Sequence, residues 1–190
     1  MKKVALVNPG RFREHGIHEP INIGYIGAYL EQYGVTVKII DQLAGDNVEK
    51  ELEDFKPDIA GITATTPVIP DAYKIADFSR SKNILTVIGG VHASVLPQEA
   101  LGHCDAVVVG EGEQAMLEIV QGKNTSSVVS TAHINNIDEI PMPARHLMNM
   151  RYYLRSKDNI AGTHLYFVPP GTRVSAILTS RGCPYRCIFC

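Results

Sequence analysis

The chain has 190 residues, of which 45% are hydrophobic and 20% are charged, as in an ordinary soluble globular protein. Its net charge of −2 and the lack of any basic run give no electrostatic pattern for nucleic-acid binding. No apolar run is long enough for a signal peptide or a membrane span, so we expect a cytoplasmic protein whose cysteines are free, catalytic or bound to metal.

Short apolar runs alternate with helical stretches over most of residues 1–134. The consecutive apolar residues in these runs are typical of strands buried on both faces of a parallel sheet. The predicted strands are Lys3–Val7, Val35–Ile40, Asp58–Thr63, Leu85–Ile88 and Ala106–Val109. The predicted helices are Ile21–Tyr33, Val48–Phe55, Ile69–Ser81, Pro97–Gly102 and Glu113–Gln121. This order predicts an α/β domain with a doubly wound, five-stranded parallel sheet of the flavodoxin-like or Rossmann-like class.

The alternation ends after Gln121. Ser127–Ser130 is expected to form a short strand, in a small hairpin with residues near His133. Residues 135–171 begin with a polar, proline-bearing stretch and continue irregularly, so we interpret them as a linker. Residues 172–190 contain a further predicted strand, Arg173–Thr179, which leads directly into a cluster of cysteines.

Loops after the first, third and fourth strands are expected to meet at the carboxyl edge of the sheet, where open α/β sheets bind ligands. Hydroxyl groups in one loop and paired glycines in another suit a bulky, polar ligand. The candidate ligand-binding residues are Thr63, Thr65, Thr66, Gly89, Gly90 and His92. Each also fits a structural role when taken alone, because threonines cap helices, paired glycines form tight turns, and loop histidines usually form hydrogen bonds.

Cys183, Cys187 and Cys190 have the spacing C-x3-C-x2-C. Thiolates are soft ligands that hold iron–sulfur clusters, and three of them leave one iron of a four-iron cluster open to a substrate or cofactor. The alternative is a zinc knuckle completed by His146 or His164, but neither histidine has the spacing of a zinc ligand. We therefore favour an iron–sulfur cluster.

This cysteine motif, with the strand before it and Phe189 before the last cysteine, resembles that of the radical S-adenosylmethionine superfamily. The resemblance implies that Cys183, Cys187 and Cys190 hold a [4Fe-4S] cluster whose open iron binds S-adenosylmethionine, with Phe189 near the adenine. It also implies a reductant such as flavodoxin or ferredoxin, whose electron leads to a 5′-deoxyadenosyl radical. Arg173–Thr179 would then be the first strand of a partial barrel.

Four segments in the first domain extend the resemblance. They are Ile23–Leu30, Lys56–Ile62, Gly89–Ala93 and Gly110–Glu113, and the segment Ile140–Arg145 follows them. The series resembles the cobalamin-binding domain and linker that precede the barrel in cobalamin-dependent radical S-adenosylmethionine enzymes, which implies cobalamin as a third cofactor. Residues 14–18 depart from the D-x-H-x-x-G pattern of other cobalamin domains. We therefore predict no protein histidine on cobalt and assign neither His15 nor His18 as a ligand.

Three further residues have simpler interpretations. Glu111 and Glu113 open the last predicted helix, where they are expected to complement its positive N-terminus. The alternative is a role at the interface to the barrel or at the cobalamin edge. Cys104 precedes a buried strand and is expected to be a small buried residue.

The resemblance implies a parent enzyme of the Fe–S oxidoreductase or methyltransferase type that acts on a small molecule. In it the adenosyl radical removes hydrogen and methylcobalamin supplies the methyl group, although other members form rings or rearrange their substrates. Because the chain stops at Cys190, we expect it to bind cobalamin and to supply the cluster cysteines without being active alone. The alternatives are a pure binding module and a flavodoxin-like or response-regulator-like domain that has lost its ligand.

Overall fold

The computed structural model describes residues 2–10, 19–155, 173, 175–183 and 185–188. Its strands are β1 (Lys3–Asn8), β2 (Thr36–Asp41), β3 (Ile59–Thr63), β4 (Leu85–Gly89), β5 (Ala106–Val109) and β6 (Val128–Ser130). Its α-helices are α1 (Ile21–Gln32), α2 (Val48–Phe55), α3 (Ile69–Ser81), α4 (Val91–Val95), α5 (Pro97–Ala100), α6 (Glu113–Val120) and α7 (Met150–Arg155). The predicted strands and helices of the α/β domain are thus confirmed, with ends that move by two residues at most.

All six strands are parallel and lie in the order β2-β1-β3-β4-β5-β6. This is the flavodoxin-like order with one strand added, and strand order reverses between β1 and β3. The predicted α/β class is confirmed, but the strand number of five is wrong. Ser127–Ser130 does not form a hairpin, because Val128 and Val129 extend the sheet in parallel beside Val107 and Val108 of β5.

Two apolar layers cover the two faces of the sheet. On one face, α1 and α6 pack against alternate strand residues such as Leu6, Val87 and Val108. On the other face, α2 to α5 cover the intervening residues, such as Val7 and Ile88. The alternation follows from strand geometry, in which successive side chains point to opposite faces, and it explains why the strands are apolar on consecutive positions.

Residues 140–153, interpreted from the sequence as part of a linker, pack against the α1 side of the domain. The Ala144 amide donates to the Gly24 carbonyl at 3.0 Å, and Met148 belongs to the apolar layer on that face. A Cβ atom on Gly24 would lie 2.1 Å from the terminal methyl group of Met148 and 3.2 Å from Pro143 Cβ, so a side chain at this position would require Met148 to move. Tyr153 of α7 is 1% exposed.

The predicted strand Arg173–Thr179 is not present in the described part of this segment, where residues 175–179 form no ladder. The Ala176 amide and carbonyl are instead bonded to the side chains of Glu19 and Arg145, so they are not available to a neighbouring strand. Among the described residues, no helix combines the length and the apolar character needed to cross a membrane.

Candidate functional site

A cleft of about 210 Å³ opens at the carboxyl edge of the sheet, beside the point where strand order reverses. Helices α1 and α6 form its walls, and the ends of β3, β4 and β5 form its floor. Its lining includes the apolar side chains of Leu6, Ile23, Ile26, Val87, Val108 and Met116. The cleft is therefore a mainly apolar slot at the position where this class of fold binds ligands.

Glycines leave the floor of this cleft without side chains. Gly61 of β3 and Gly89 of β4 lie on neighbouring strands, Gly110 directly follows β5, and all three line the cleft. A Cβ atom on Gly61 would lie 3.0 Å from Leu6 and 3.2 Å from Met116, whereas one on Gly89 would make only ordinary contact with Val108 at 3.6 Å. The floor thus lets a flat group approach the backbone closely.

Gly90 holds the turn after β4 against the loop after β3. Its φ of +96° is a conformation that residues with a side chain rarely adopt, and a Cβ atom would lie 2.8 Å from the Ala64 carbonyl oxygen. The Ala64 amide in turn donates to the Gly89 carbonyl at 3.1 Å. Gly89 and Gly90 therefore shape the edge of the cleft, and their role in ligand binding stays a prediction.

The three candidate threonines separate into two groups. Thr63 lines the cleft, and its hydroxyl accepts a hydrogen bond from Asn22 of α1 at 2.9 Å. Thr65 and Thr66 are exposed, do not line the cleft, and lead into a 3-10 turn at Thr66–Val68. Of the three hydroxyls, only that of Thr63 is placed to contact a ligand in the cleft.

His92 lies outside the cleft, buried in α4 with 6% of its surface exposed. Its Nδ1 is 3.2 Å from the Thr66 hydroxyl, and its Nε2 is 3.3 Å from a carboxylate oxygen of Glu99. Both ring nitrogens are thus engaged in a local network with Thr66 and Glu99. This is the hydrogen-bonded structural role that the sequence left open as the alternative to ligand binding.

A charged group closes one end of the cleft. Glu113, the first residue of α6, is 3% exposed, and one of its carboxylate oxygens accepts a hydrogen bond from Arg181 Nη2 at 2.5 Å. Arg181 Nη1 lies 3.9 Å from Glu111, and the guanidinium lies 5.6 Å from the centre of the Tyr25 ring. The bond to Glu113 raises the pKa of Arg181, so this side chain stays charged.

The cysteine segment follows Arg181 directly. Cys183 and Cys187 are exposed free thiols, whereas Cys190 and Phe189 lie outside the described residues. Cys104 is buried as predicted, donates to the Ala100 carbonyl, and has a pKa raised to about 11 by burial, which makes it a poor metal ligand.

The histidines proposed for a zinc site gain no support. His146 is exposed and pairs with Glu31 of α1 at 3.0 Å. His15, His18 and His164 lie outside the described residues.

Several residues that line or close the cleft were not identified from the sequence. Gly61 could have been, because a glycine inside a strand often marks a close approach to the backbone. Asn22 and Arg181 carry no such local signal, since their partners Thr63 and Glu113 are 41 and 68 residues away.

Comparison with known families gives one match across the α/β domain. The B12 binding domain family matches residues 14–120, which is more than half of the chain. The matched range includes β3, β4 and β5, the three strands whose ends form the floor of the cleft.

Longer proteins share most of this sequence. An uncharacterized methyltransferase of Pyrococcus horikoshii is 32% identical over 90% of this chain and 40% of its own length. The anaerobic magnesium-protoporphyrin IX monomethyl ester cyclase of Rubrivivax gelatinosus is 30% identical over 90% of this chain and 34% of its own length. The chain therefore spans well under half the length of these two relatives.

A solved structure shares the fold. The radical S-adenosylmethionine methyltransferase TsrM from Kitasatospora setae, solved with cobalamin and a [4Fe-4S] cluster bound, aligns with a TM-score of 0.55 at 21% identity, over 64% of this chain and 26% of that protein. The sequence resemblance and these findings agree. The chain belongs to the B12 binding domain family, whose model matches residues 14–120.

Proposed function

We propose that this chain binds cobalamin in the cleft between α1, α6 and the carboxyl ends of β3 to β5. The observation that carries the proposal is the glycine floor, in which Gly61 and Gly89 leave an apolar slot over the sheet within the matched B12-binding domain. With about 210 Å³, the slot is smaller than the roughly 300–1,000 Å³ of sites that enclose a whole small-molecule ligand. We infer that it takes the flat benzimidazole end of cobalamin, while the macrocycle remains outside.

The residues of the cleft fit such a group. Val87, Val108 and Met116 supply apolar contacts for a flat ring, and Thr63 at the rim supplies a hydroxyl for a polar substituent. Among the described residues, no histidine lines the cleft. The expectation that no protein histidine ligates cobalt therefore stays part of the proposal.

We further propose that Cys183, Cys187 and Cys190 hold a [4Fe-4S] cluster in the parent enzyme, with S-adenosylmethionine on its open iron and Phe189 beside the adenine. The exposure of Cys183 and Cys187 supports this assignment, because thiols must be accessible to assemble a cluster. When bound, the cluster and cobalamin supply radical formation and methyl transfer, respectively. The relatives named as methyltransferases favour methylation of a small molecule, with a flavodoxin or ferredoxin as reductant.

Cobalamin binding is tested by mixing the purified chain with hydroxocobalamin and separating the mixture by gel filtration. We expect corrinoid to elute with the protein and its absorption spectrum to differ from that of the free cofactor. Elution of all corrinoid in the small-molecule fraction, with an unchanged spectrum, would exclude the cobalamin proposal. The exposed Gln98→Leu variant should bind as the unmodified chain does, because Gln98 lies outside the cleft.

The cluster is tested separately by anaerobic reconstitution with iron and sulfide. We expect broad visible absorption and bound iron in the unmodified chain, and loss of both in Cys183→Ala and Cys187→Ala. Cys104→Ala is the matched control, since it removes a buried thiol outside the motif and should keep the cluster. Equal iron content in all four proteins would rule out the motif as the cluster site.

A further inference from the structure

Two buried glutamates stand at the N-terminal ends of the helices that form the cleft walls. Glu19, which is 6% exposed, lies two residues before α1, and Glu113, which is 3% exposed, begins α6. A buried carboxylate is costly unless it is paired and hydrogen-bonded. Both of these glutamates find their partners in the same stretch of chain, residues 175–181, which we name the strap.

The first attachment of the strap is at Glu19. One carboxylate oxygen of Glu19 accepts hydrogen bonds from the Ser175 hydroxyl and, at 2.8 Å, from the Ala176 amide. Arg145 completes the group, because its Nε lies 3.7 Å from Glu19 and its Nη2 donates to the Ala176 carbonyl at 2.5 Å. Both polar backbone groups of Ala176 are therefore bonded to buried or half-buried charged side chains.

The second attachment is at Glu113. Arg181 donates to this carboxylate and stacks near Tyr25 of α1, and its side chain is only 19% exposed. Between the two attachments, Leu178 lines the cleft together with Arg181. The strap thus crosses the mouth of the cleft from the α1 wall to the α6 wall. Cys183 lies two residues beyond Arg181, the last residue of the strap.

We propose that Glu19 and Glu113 are positioning residues that fasten the strap over the cobalamin cleft, and so hold the cysteine segment in a fixed place relative to that cleft. The proposal rests on the proposed function for the identity of the ligand, but the fastening itself does not depend on it. Because Leu178 and Arg181 line the cleft, the strap contacts a group that occupies the cleft and slows its release. The two glutamates thereby connect the cobalamin site with the cysteine motif.

The fastening is tested by hydrogen exchange on the full 190-residue chain without cobalamin. The variants are Arg181→Met, Glu113→Gln and their double variant, with Glu19→Gln for the other attachment. Arg181→Met should speed exchange of the Ala176 amide, which donates to Glu19, by at least about tenfold, which corresponds to about 1.4 kcal/mol, while β1 to β5 remain protected. The double variant should exchange no faster than the faster single variant, because the same pair is broken in each.

Arg186→Met is the matched control. Arg186 is exposed and lies in the same segment, so its replacement removes the same charge without touching Glu113. Exchange that is unchanged in Arg181→Met, or equally fast in Arg186→Met, would overturn the fastening.

The link to the cofactor is tested by the dissociation rate of bound hydroxocobalamin. We expect release from Arg181→Met to be about five- to tenfold faster than from the unmodified chain, in the range of ordinary coupling between sites. If the strap loosens but release is unchanged, the proposed retention is wrong. If the unmodified chain binds no cobalamin, the proposed function fails, and the exchange measurements still decide whether the glutamates fasten the strap.

Discussion

Asp41 is a carboxylate buried at the carboxyl end of β2, with 2% of its surface exposed. It accepts hydrogen bonds from the Asn8 side chain at 2.9 Å, from the Leu43 amide at 3.1 Å, and from the Tyr153 hydroxyl of α7. Burial raises the pKa of Asp41 above its ordinary value of 3.8, although these hydrogen bonds oppose the shift. Burial and the adjacent Asp41 charge also raise the pKa of Tyr153, which keeps its hydroxyl protonated as a donor.

The raised pKa of Asp41 predicts how stability depends on pH. Between the ordinary pKa of 3.8 and the higher folded value, the folded state binds more protons than the unfolded state. The contribution of Asp41 to stability is therefore complete below the unfolded pKa and is lost as the pH rises through the folded pKa. Asp41→Asn lacks this titration. The unfolding free energy of the unmodified chain relative to Asp41→Asn should thus increase as the pH falls from 7 towards 4.

Urea unfolding of the two proteins at several pH values measures this difference. Asp138→Asn, at an exposed site, serves as the matched control and should follow the unmodified chain. The quantity compared is the unfolding free energy of the unmodified chain minus that of Asp41→Asn. If this quantity stays constant or decreases as the pH falls, the raised pKa of Asp41 is contradicted.

At the scale of elements, β3, β4 and β5 determine the shape of the cleft. The register places Thr63 beside Gly89 and Gly61 beside Val87, so residues that line the cleft lie side by side on adjacent strands. Neighbouring strands are about 4.8 Å apart. A glycine on one strand therefore leaves a gap beside the side chain of the residue paired with it on the adjacent strand. The cleft is thus a property of three aligned strands.

Gly89→Leu should fill this slot without disrupting β4. The Cβ atom would make ordinary contact with Val108, and no positive φ constrains this position, so we expect the unfolding free energy to change by less than about 1 kcal/mol. The leucine side chain would occupy the space of the ligand and weaken cobalamin binding at least about tenfold. Titration with hydroxocobalamin, followed by absorption, measures the affinity, and Gln98→Leu adds the same side chain outside the cleft. Unaltered affinity in Gly89→Leu would place the ligand elsewhere.

Most elements of the α/β domain could be predicted because each carries its own local pattern. β5 and α3, for example, have the predicted bounds Ala106–Val109 and Ile69–Ser81, with continuous apolar residues in the strand and proline in the first turn of the helix. The expected hairpin at β6 is wrong because the sequence of a three-residue strand does not indicate whether the neighbouring strand runs parallel or antiparallel to it. α4 was missed because its five residues follow Gly90 too closely to show a helical period.

The candidate site was predictable only in part. Gly89, Gly90 and Thr63 line the cleft because loops after adjacent parallel strands necessarily meet at one edge. His92 lies outside the cleft because its ring bonds to Thr66 and Glu99, and the spacing of these residues does not reveal that direction.

At the scale of the whole molecule, long-range polar contacts join the two ends of the described chain. Glu19 and Ala176 are 157 residues apart in sequence, and Asp41 and Tyr153 are 112 residues apart. The segments that follow the α/β domain therefore contribute to the same carboxyl edge as the cleft. Such contacts leave no periodic trace in the sequence, which is why residues 140–153 resemble a linker by composition.

The central claim is that cobalamin occupies the cleft over β3, β4 and β5, and a crystal structure of the chain grown with hydroxocobalamin tests it most directly. We predict density for the benzimidazole group between Gly61, Gly89 and Val108, with the strap lying across the mouth of the cleft. Density for cobalamin at any other surface of the domain, with the cleft filled only by solvent, would contradict the account.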